Sequence, residues 1–408
     1  MAVSRRSVLA VGAGAVAGLA LPGAALAQAA PSISRKLRFR LDAEVLDGGE
    51  QVVSITLAAA KLGPIDRSSL TTGSFTVHAK ASSPLAAGDT VLGTYDLDRA
   101  VTAVKVDNAG DIVLELSYAE GQTGGATLGW AAARGRNVRF DLTYTITQNA
   151  PIRLRDGRSV TVSEFVQGRL VNPEVDSFSY RTSRSGMKYR LYSPVRHAGK
   201  RPLIVWLHGG GEGGSLPAYY DNETQLRANR GALGFVTPEA QRIFGDAYVV
   251  APQSQSFWLE DGDRYAPQIL EIIKAVVRTQ QIDTDRIHVV GCSNGGFMSL
   301  KMTTEYPDTF ASSVPICAVV QERFTDAELA AIDTPTWLVA SRDDTTVPPN
   351  PNTVHAHDVI PGSIMSLYDT VTWNGYRFPG HWSWIYVARN DPSHNGQHVW
   401  QWMARKHL

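Results

Sequence analysis

The chain has little cysteine, with two in 408 residues. Two thiols cannot build a disulfide-dense scaffold or a four-thiolate zinc or iron–sulfur site. It also lacks net charge: 39 Lys and Arg balance 39 Asp and Glu. That balance argues against broad electrostatic binding to nucleic acid or to anionic lipid. Long apolar runs are missing as well. Past residue 27 no segment approaches the ~20 apolar residues that a membrane span needs. With 43% apolar and 19% charged residues, the composition is that of a globular protein. Glycine is abundant, at 36 residues, and its placement decides between loose linkers and tight turns.

Residues 1–27 have the pattern of an export signal. Ser4-Arg5-Arg6-Ser7-Val8-Leu9 resembles a twin-arginine motif, a mild Gly/Ala-rich stretch follows, and Ala25-Leu26-Ala27 supplies a small-x-small cleavage site. Its removal takes away Arg5 and Arg6 and no acid, which moves the net charge from zero to −2. The expected location is the periplasm or the extracellular space, where disulfides persist. Residues 28–35 read as a linker.

Residues 36–150 alternate with period 2 over short stretches, such as Gln51 to Leu57, Ser74 to Ala79 and Val138 to Ile146, with Gly, Pro, Asn and Asp between them. This predicts a small all-β antiparallel sandwich. No titratable cluster in this half calls for chemistry. Residues 151–175 read as a connecting segment. Over 176–408 short apolar runs, among them Leu203 to Leu207, Ala247 to Pro252, Ile287 to Gly291 and Pro335 to Ala340, alternate with helical stretches. That alternation predicts an α/β domain with a mostly parallel sheet, whose ligands sit at the carboxyl ends of the strands.

The chemistry-bearing motifs fall at those ends. Gly291-Cys292-Ser293-Asn294-Gly295-Gly296 matches G-x-S-x-G between a strand and a helical stretch, the context of a nucleophile elbow with Ser293 at its apex. Leu207-His208-Gly209-Gly210-Gly211 follows the first buried strand. A loop without side chains lets backbone N–H groups approach an oxyanion, so Gly210 and the amide of Asn294 are the expected donors. His208 is expected to hold that loop by hydrogen bonds. Glu212 either lines the site or anchors the loop. Asp344 of Asp344-Thr345-Thr346-Val347-Pro348 is the expected acid, with Asp343 as the alternative. His381 of Gly380-His381-Trp382-Ser383-Trp384 is the expected base. His394 and His398, and His355 with His357, have metal-like spacings, but solvated helix histidines explain them better, and no metal is expected. Trp258 and Trp382 are possible pocket walls, and the long stretch from Ser215 to Arg242 is able to border the site. Cys292 and Cys317 end strands that are possible neighbours, so a disulfide between them is possible, as are two buried thiols.

These motifs, together with Tyr306-Pro307-Asp308 and Val314-Pro315-Ile316-Cys317, resemble secreted α/β-hydrolase carboxylesterases of the prolyl-oligopeptidase-like and polyhydroxybutyrate-depolymerase-like kind, some of which carry an immunoglobulin-like N-terminal domain. The resemblance implies an α/β-hydrolase fold over 176–408, a Ser293–His381–Asp344 triad, no cofactor, and hydrolysis of a small-molecule or polymer ester. Two alternatives are a serine peptidase on the same triad and a non-catalytic binding protein on the same fold. The β domain is expected to shield one side of the site. Delivery of the hydrolase to a polymer is its other possible role.

Overall fold

The computed structural model describes residues 32–86, 88–195, 199–214 and 220–408. The export signal expected at 1–27 lies outside the described residues. Twelve strands build the first unit: β1 (Ser32–Leu46), β2 (Gly49–Leu57), β3 (Phe75–Ser82), β4 (Val91–Leu92), β5 (Tyr95–Arg99), β6 (Val101–Val106), β7 (Ile112–Leu116), β8 (Leu128–Ala131), β9 (Arg136–Arg139), β10 (Asp141–Gln148), β11 (Ile152–Arg153) and β12 (Ser159–Val171). They form a six-stranded sheet of order β11-β12-β1-β2-β7-β6 and two three-stranded sheets, β10-β3-β5 and β4-β8-β9. β3 alternates buried and outward residues along its whole length, as a strand with one face on a core must. Val52, Ile55, Val77, Ala79, Leu114 and Ile146 are among the side chains that fill the shared interior.

The boundaries differ from those expected. β1 begins at Ser32, inside the stretch assigned to a linker, and 159–171 is not a connecting segment. It is a strand pairing parallel to β1, from Ser32 opposite Ser159 to Asp42 opposite Val171. The two-residue β11 covers only the start of β12, so most of that strand is a sheet edge. Its outward Glu164 and Arg169 break the apolar alternation that marks a half-buried strand.

The second unit is an eight-stranded sheet of β13 (Phe178–Thr182), β14 (Lys188–Tyr192), β15 (Arg201–Leu207), β16 (Tyr248–Pro252), β17 (Ile282–Cys292), β18 (Ser312–Ile316), β19 (Trp337–Ser341) and β20 (Ile364–Tyr368). Its order is β13-β14-β16-β15-β17-β18-β19-β20. β14 runs antiparallel to both of its neighbours, β13 and β16, and the remaining pairs are parallel. β16, β18 and β19 are buried at every position, because helices cover both faces. One of these helices, Gly262–Thr279, turns Tyr265, Ile269, Ile272, Ile273 and Val276 inward. The last strand ends at Tyr368 and does not run on to Trp373, which belongs to a separate hairpin, Val371–Trp373 with Tyr376–Phe378. No helix among the described residues is long and apolar enough to cross a membrane.

Charged groups join the two units. Glu50 of β2 is buried and accepts hydrogen bonds from Thr127 and Asn172 in its own unit and from Arg227 in the second. Arg227 also binds Glu223. Arg389 grips Asp47 through two bonds of 3.0 and 2.9 Å. Arg230 donates to the Val45 carbonyl and to Glu174. Removing one member of such a buried set strands its partner's charge, a cost of roughly 3–5 kcal/mol.

Candidate active site

Ser293 stands between β17 and the helix Asn294–Glu305, with φ 54° and ψ −113°. A serine held at positive φ is strained, and the surroundings must over-determine it. Its amide donates to the Ile316 carbonyl of β18 at 2.7 Å. The flanking glycines are required by space. A Cβ on Gly291 would lie 2.2 Å from the Gly295 carbonyl oxygen, and one on Gly295 would lie 2.0 Å from that of Leu207.

The expected trio comes together. His381 Nε2 lies 2.9 Å from Ser293 Oγ, and its Nδ1 lies 2.8 Å from Asp344 Oδ2. The other Asp344 oxygen accepts the amides of Thr346 and Val347, both at 2.9 Å, so the carboxylate is fixed by its own loop. Asp343 points away from the ring. It accepts from Ser341 and Arg377, and its carbonyl packs so tightly on Gly380 that a Cβ there would lie 2.4 Å away. Asp343 thus shapes the turn that presents His381. Burial disfavours a charged His381, while the facing Cys317 and Asp344 oppose this and raise its pKa.

The glycine loop closes the opposite side. His208 Nδ1 donates to the Gly209 carbonyl at 2.6 Å, while Nε2 accepts the Ser254 amide at 3.0 Å. Burial lowers the His208 pKa to about 3, which keeps the ring neutral. The expected anchoring role of His208 is therefore what its contacts describe. Asn294 begins its helix, where the first N–H groups lack intrahelical partners. Its side-chain Oδ1 accepts the Leu259 amide at 3.1 Å. Glu212 is buried beside the loop and accepts from Asn137 Nδ2 at 3.2 Å. Burial raises its pKa to about 7, against the opposing effects of its backbone hydrogen bonds, Arg136 and His381.

Ser293 and His381 open into a cavity of about 600 Å³. Trp382 lines it as expected, and so do Glu212 and Gly210. Ala228 and Asn229, from the long stretch expected to border the site, form part of the wall. Trp258 does not line it. It is fully buried, stacks on His208 with ring centroids 4.8 Å apart and donates Nε1 to the His208 carbonyl. Its neighbour Phe257 faces the cavity instead, because the short helical turn at Trp258–Glu260 rolls the larger indole into the core. The β unit also contributes wall residues that the sequence reading did not single out. Asp47, Trp130 and Asn137 all line the cavity. Single polar or aromatic residues in a turn-rich β sequence carry no spacing signal that would have singled them out.

The possible disulfide is absent. Cys292 and Cys317 are both free and buried. Cys292 Sγ lies toward the glycine loop, 3.5 Å from where a Cβ of Gly209 would sit. Cys317, at φ 39°, brings its sulfur within 4.8 Å of ligand atoms of both Asp344 and His381. The other histidines are engaged separately: His355 with Asp326, His357 with Ser363, and His398 with the Asn390 carbonyl.

Residues 41–161 match the esterase immunoglobulin-like N-terminal domain, and residues 254–359 match the prolyl oligopeptidase family. Among curated proteins, the chain is 29% identical over 151 residues to poly(3-hydroxyalkanoate) depolymerase C of Paucimonas lemoignei, covering 34% of this chain and 33% of that protein. It is 26% identical over 167 residues to feruloyl esterase B of Neurospora crassa, covering 40% of this chain and 54% of that protein. The chain thus spans between a third and about half of these relatives' lengths. The crystal structure of a thermostable esterase superposes with a TM-score of 0.72 at 24% identity, covering 91% of this chain and 99% of that one. The chain thus has the α/β-hydrolase fold, with a segment that matches the prolyl oligopeptidase family and, at its N-terminal side, a domain that matches the esterase immunoglobulin-like model.

Proposed function

We propose that the protein is an exported serine carboxylesterase that hydrolyses short-chain or polymer-derived carboxylic esters through an acyl-enzyme. One observation carries the proposal: the hydrogen-bonded chain from Ser293 Oγ through His381 to Asp344, at 2.9 and 2.8 Å, at the carboxyl end of a parallel sheet. In this mechanism His381 takes the Ser293 proton as Oγ attacks the ester carbonyl, and Asp344 orients the ring and stabilises its charged form. The amides of Gly210 and Asn294 hold the tetrahedral oxyanion; losing one such donor costs roughly 10²–10³ in turnover. His381 then protonates the leaving alcohol, and water, deprotonated by the same ring, releases the acid. Aromatic walls from Trp130, Phe257, Trp382 and Trp384 suit an apolar or aromatic portion of the ester. The names of the depolymerase and feruloyl esterase relatives agree with an ester as substrate. Export rests on the sequence of residues 1–27.

Ser293→Ala should lower kcat on a short p-nitrophenyl ester by roughly 10⁵–10⁶ with an unchanged circular dichroism spectrum. Retained turnover would remove Ser293 from the nucleophile position. The prolyl oligopeptidase match over 254–359 favours a second activity, amide hydrolysis. Matched ester and anilide panels separate the two, and comparable kcat/KM on proline anilides would favour the peptidase.

A further inference from the structure

The β8–β9 hairpin of the first unit lies directly on the glycine loop of the second. A Cβ on Gly211 would sit 2.8 Å from Asn137 Nδ2 and 3.1 Å from the Trp130 ring, so the loop has been approached as closely as a bare backbone allows. Asn137 Nδ2 donates across the domain boundary to Glu212 Oε1 at 3.2 Å. The other oxygen of that carboxyl lies 3.0 Å from where a Cβ on Gly209 would be. The Glu212 carboxyl is therefore wedged between the hairpin and the first glycine of the loop. The residue before Asn137 bears on the same loop from another side. The Arg136 guanidinium lies 3.4 Å over the Phe257 ring, and that ring would meet a Cβ on Gly210 at 3.0 Å.

We propose that Asn137, a residue of the immunoglobulin-like unit, is a positioning residue for hydrolysis: by holding the Glu212 carboxyl it fixes the Gly209–Gly211 backbone opposite Ser293. This rests on the esterase proposal above. A glycine loop has no side chains to brace it, so its register against the nucleophile must come from outside. Oxyanion donors act only when aimed in advance at the position where charge develops. A displacement of about 1 Å in such a group costs on the order of 10²-fold in rate. Asn137 touches the loop's bracing carboxyl and not the reacting atoms, so its loss should appear in kcat and leave ground-state binding nearly unchanged.

The test is a double-mutant cycle on a short p-nitrophenyl ester. Asn137→Ala should lower kcat ~10–100-fold with KM within ~2-fold. In a Glu212→Ala background the same substitution should cost less than ~2-fold, because its route is already gone. An unchanged kcat, a loss confined to KM, or the full loss persisting without Glu212 would each overturn the proposal. Amide hydrogen exchange of peptides spanning 209–213 gives a readout independent of turnover. Exchange should be faster in Asn137→Ala than in the wild type, and equal exchange overturns the proposal. Failure of the esterase assignment shows itself differently, as a wild type no faster than Ser293→Ala, and the exchange measurement still decides the role of Asn137.

Discussion

Strands β7 and β15 bury their side chains by different rules. In β7 buried and partly exposed residues alternate, whereas β15 is buried at every position from Pro202 to Leu207. One sheet meets a core on a single face, and the other is sandwiched between helices. The two units consequently bring different things to the cavity. The parallel sheet delivers its groups at strand ends, where the chain turns sharply and backbone amides become free. The sandwich contributes from a hairpin and a turn, through Trp130, Asn137 and Asp47. Reactive groups thus come from the unit buried on both faces, and wall and bracing come from the one-faced unit.

The largest test of that contrast is the base. His381→Ala should lower kcat by roughly 10⁴–10⁶, while His398→Ala should stay within ~2-fold. His398 binds the Asn390 carbonyl, so loss of activity in that variant alone would break the assignment of chemistry to the β19–β20 end. A stability comparison of neighbouring positions comes next. In β15, Leu203→Ala and Ile204→Ala should each cost ~2–5 kcal/mol, since both are fully buried. In β7, Leu114→Ala, at a fully buried position, should cost as much. Glu115, an outward residue paired with Lys105, should cost within ~1 kcal/mol. Chemical denaturation measures all four, and equal costs in the β7 pair would erase the distinction.

The smallest expected effect concerns histidine and acid. His288 of β17 is buried, with its Nδ1 on Ser312, and burial lowers its pKa to about 3. Between that value and the unfolded value of ~6.5 the unfolded chain binds the additional proton, so His288 makes stability fall as pH drops through this window. His78 of β3 is exposed and faces Asp98 and Asp96, whose hydrogen bonds raise its pKa. Its contribution has the opposite sign: it is present below ~6.5 and lost as pH rises through the raised folded value. His288→Gln should therefore flatten the loss of stability below pH ~6.5, and His78→Gln should remove a slight loss of stability as pH rises above ~6.5. Equilibrium denaturation at pH 4.5, 5.5 and 6.5 reads the first slope and at pH 6.5, 7.5 and 8.5 the second, and a His78 effect confined to the acid side would contradict the contrast.

Much of the site is legible without coordinates, because its parts are local. Ser293 with its glycines, the Gly209–Gly211 loop and the Asp344 turn are each short segments in which backbone geometry dictates residue type. The α/β half is legible for a similar reason: continuous apolar runs such as Leu203 to Leu207 are unmistakable when both faces are buried. β12 is missed because most of it is an edge whose outward residues hide the period. Trp258 and Phe257 are interchanged as wall because adjacent aromatics differ only in which one a helical turn rolls inward. Cys292 and Cys317 stand at neighbouring strand ends, yet both remain free thiols.

The amino-acid order by itself determined the two-unit plan, the strained serine turn, the glycine loop and the identity of the residues that meet at Ser293, since each is written in contiguous residues with strict local requirements. Only the tertiary structure decided that the site is shared. Asn137 stands 75 positions before Glu212, and Asp47 stands 342 before Arg389. No period or motif links residues so far apart, because their contact arises when two separately patterned sheets dock.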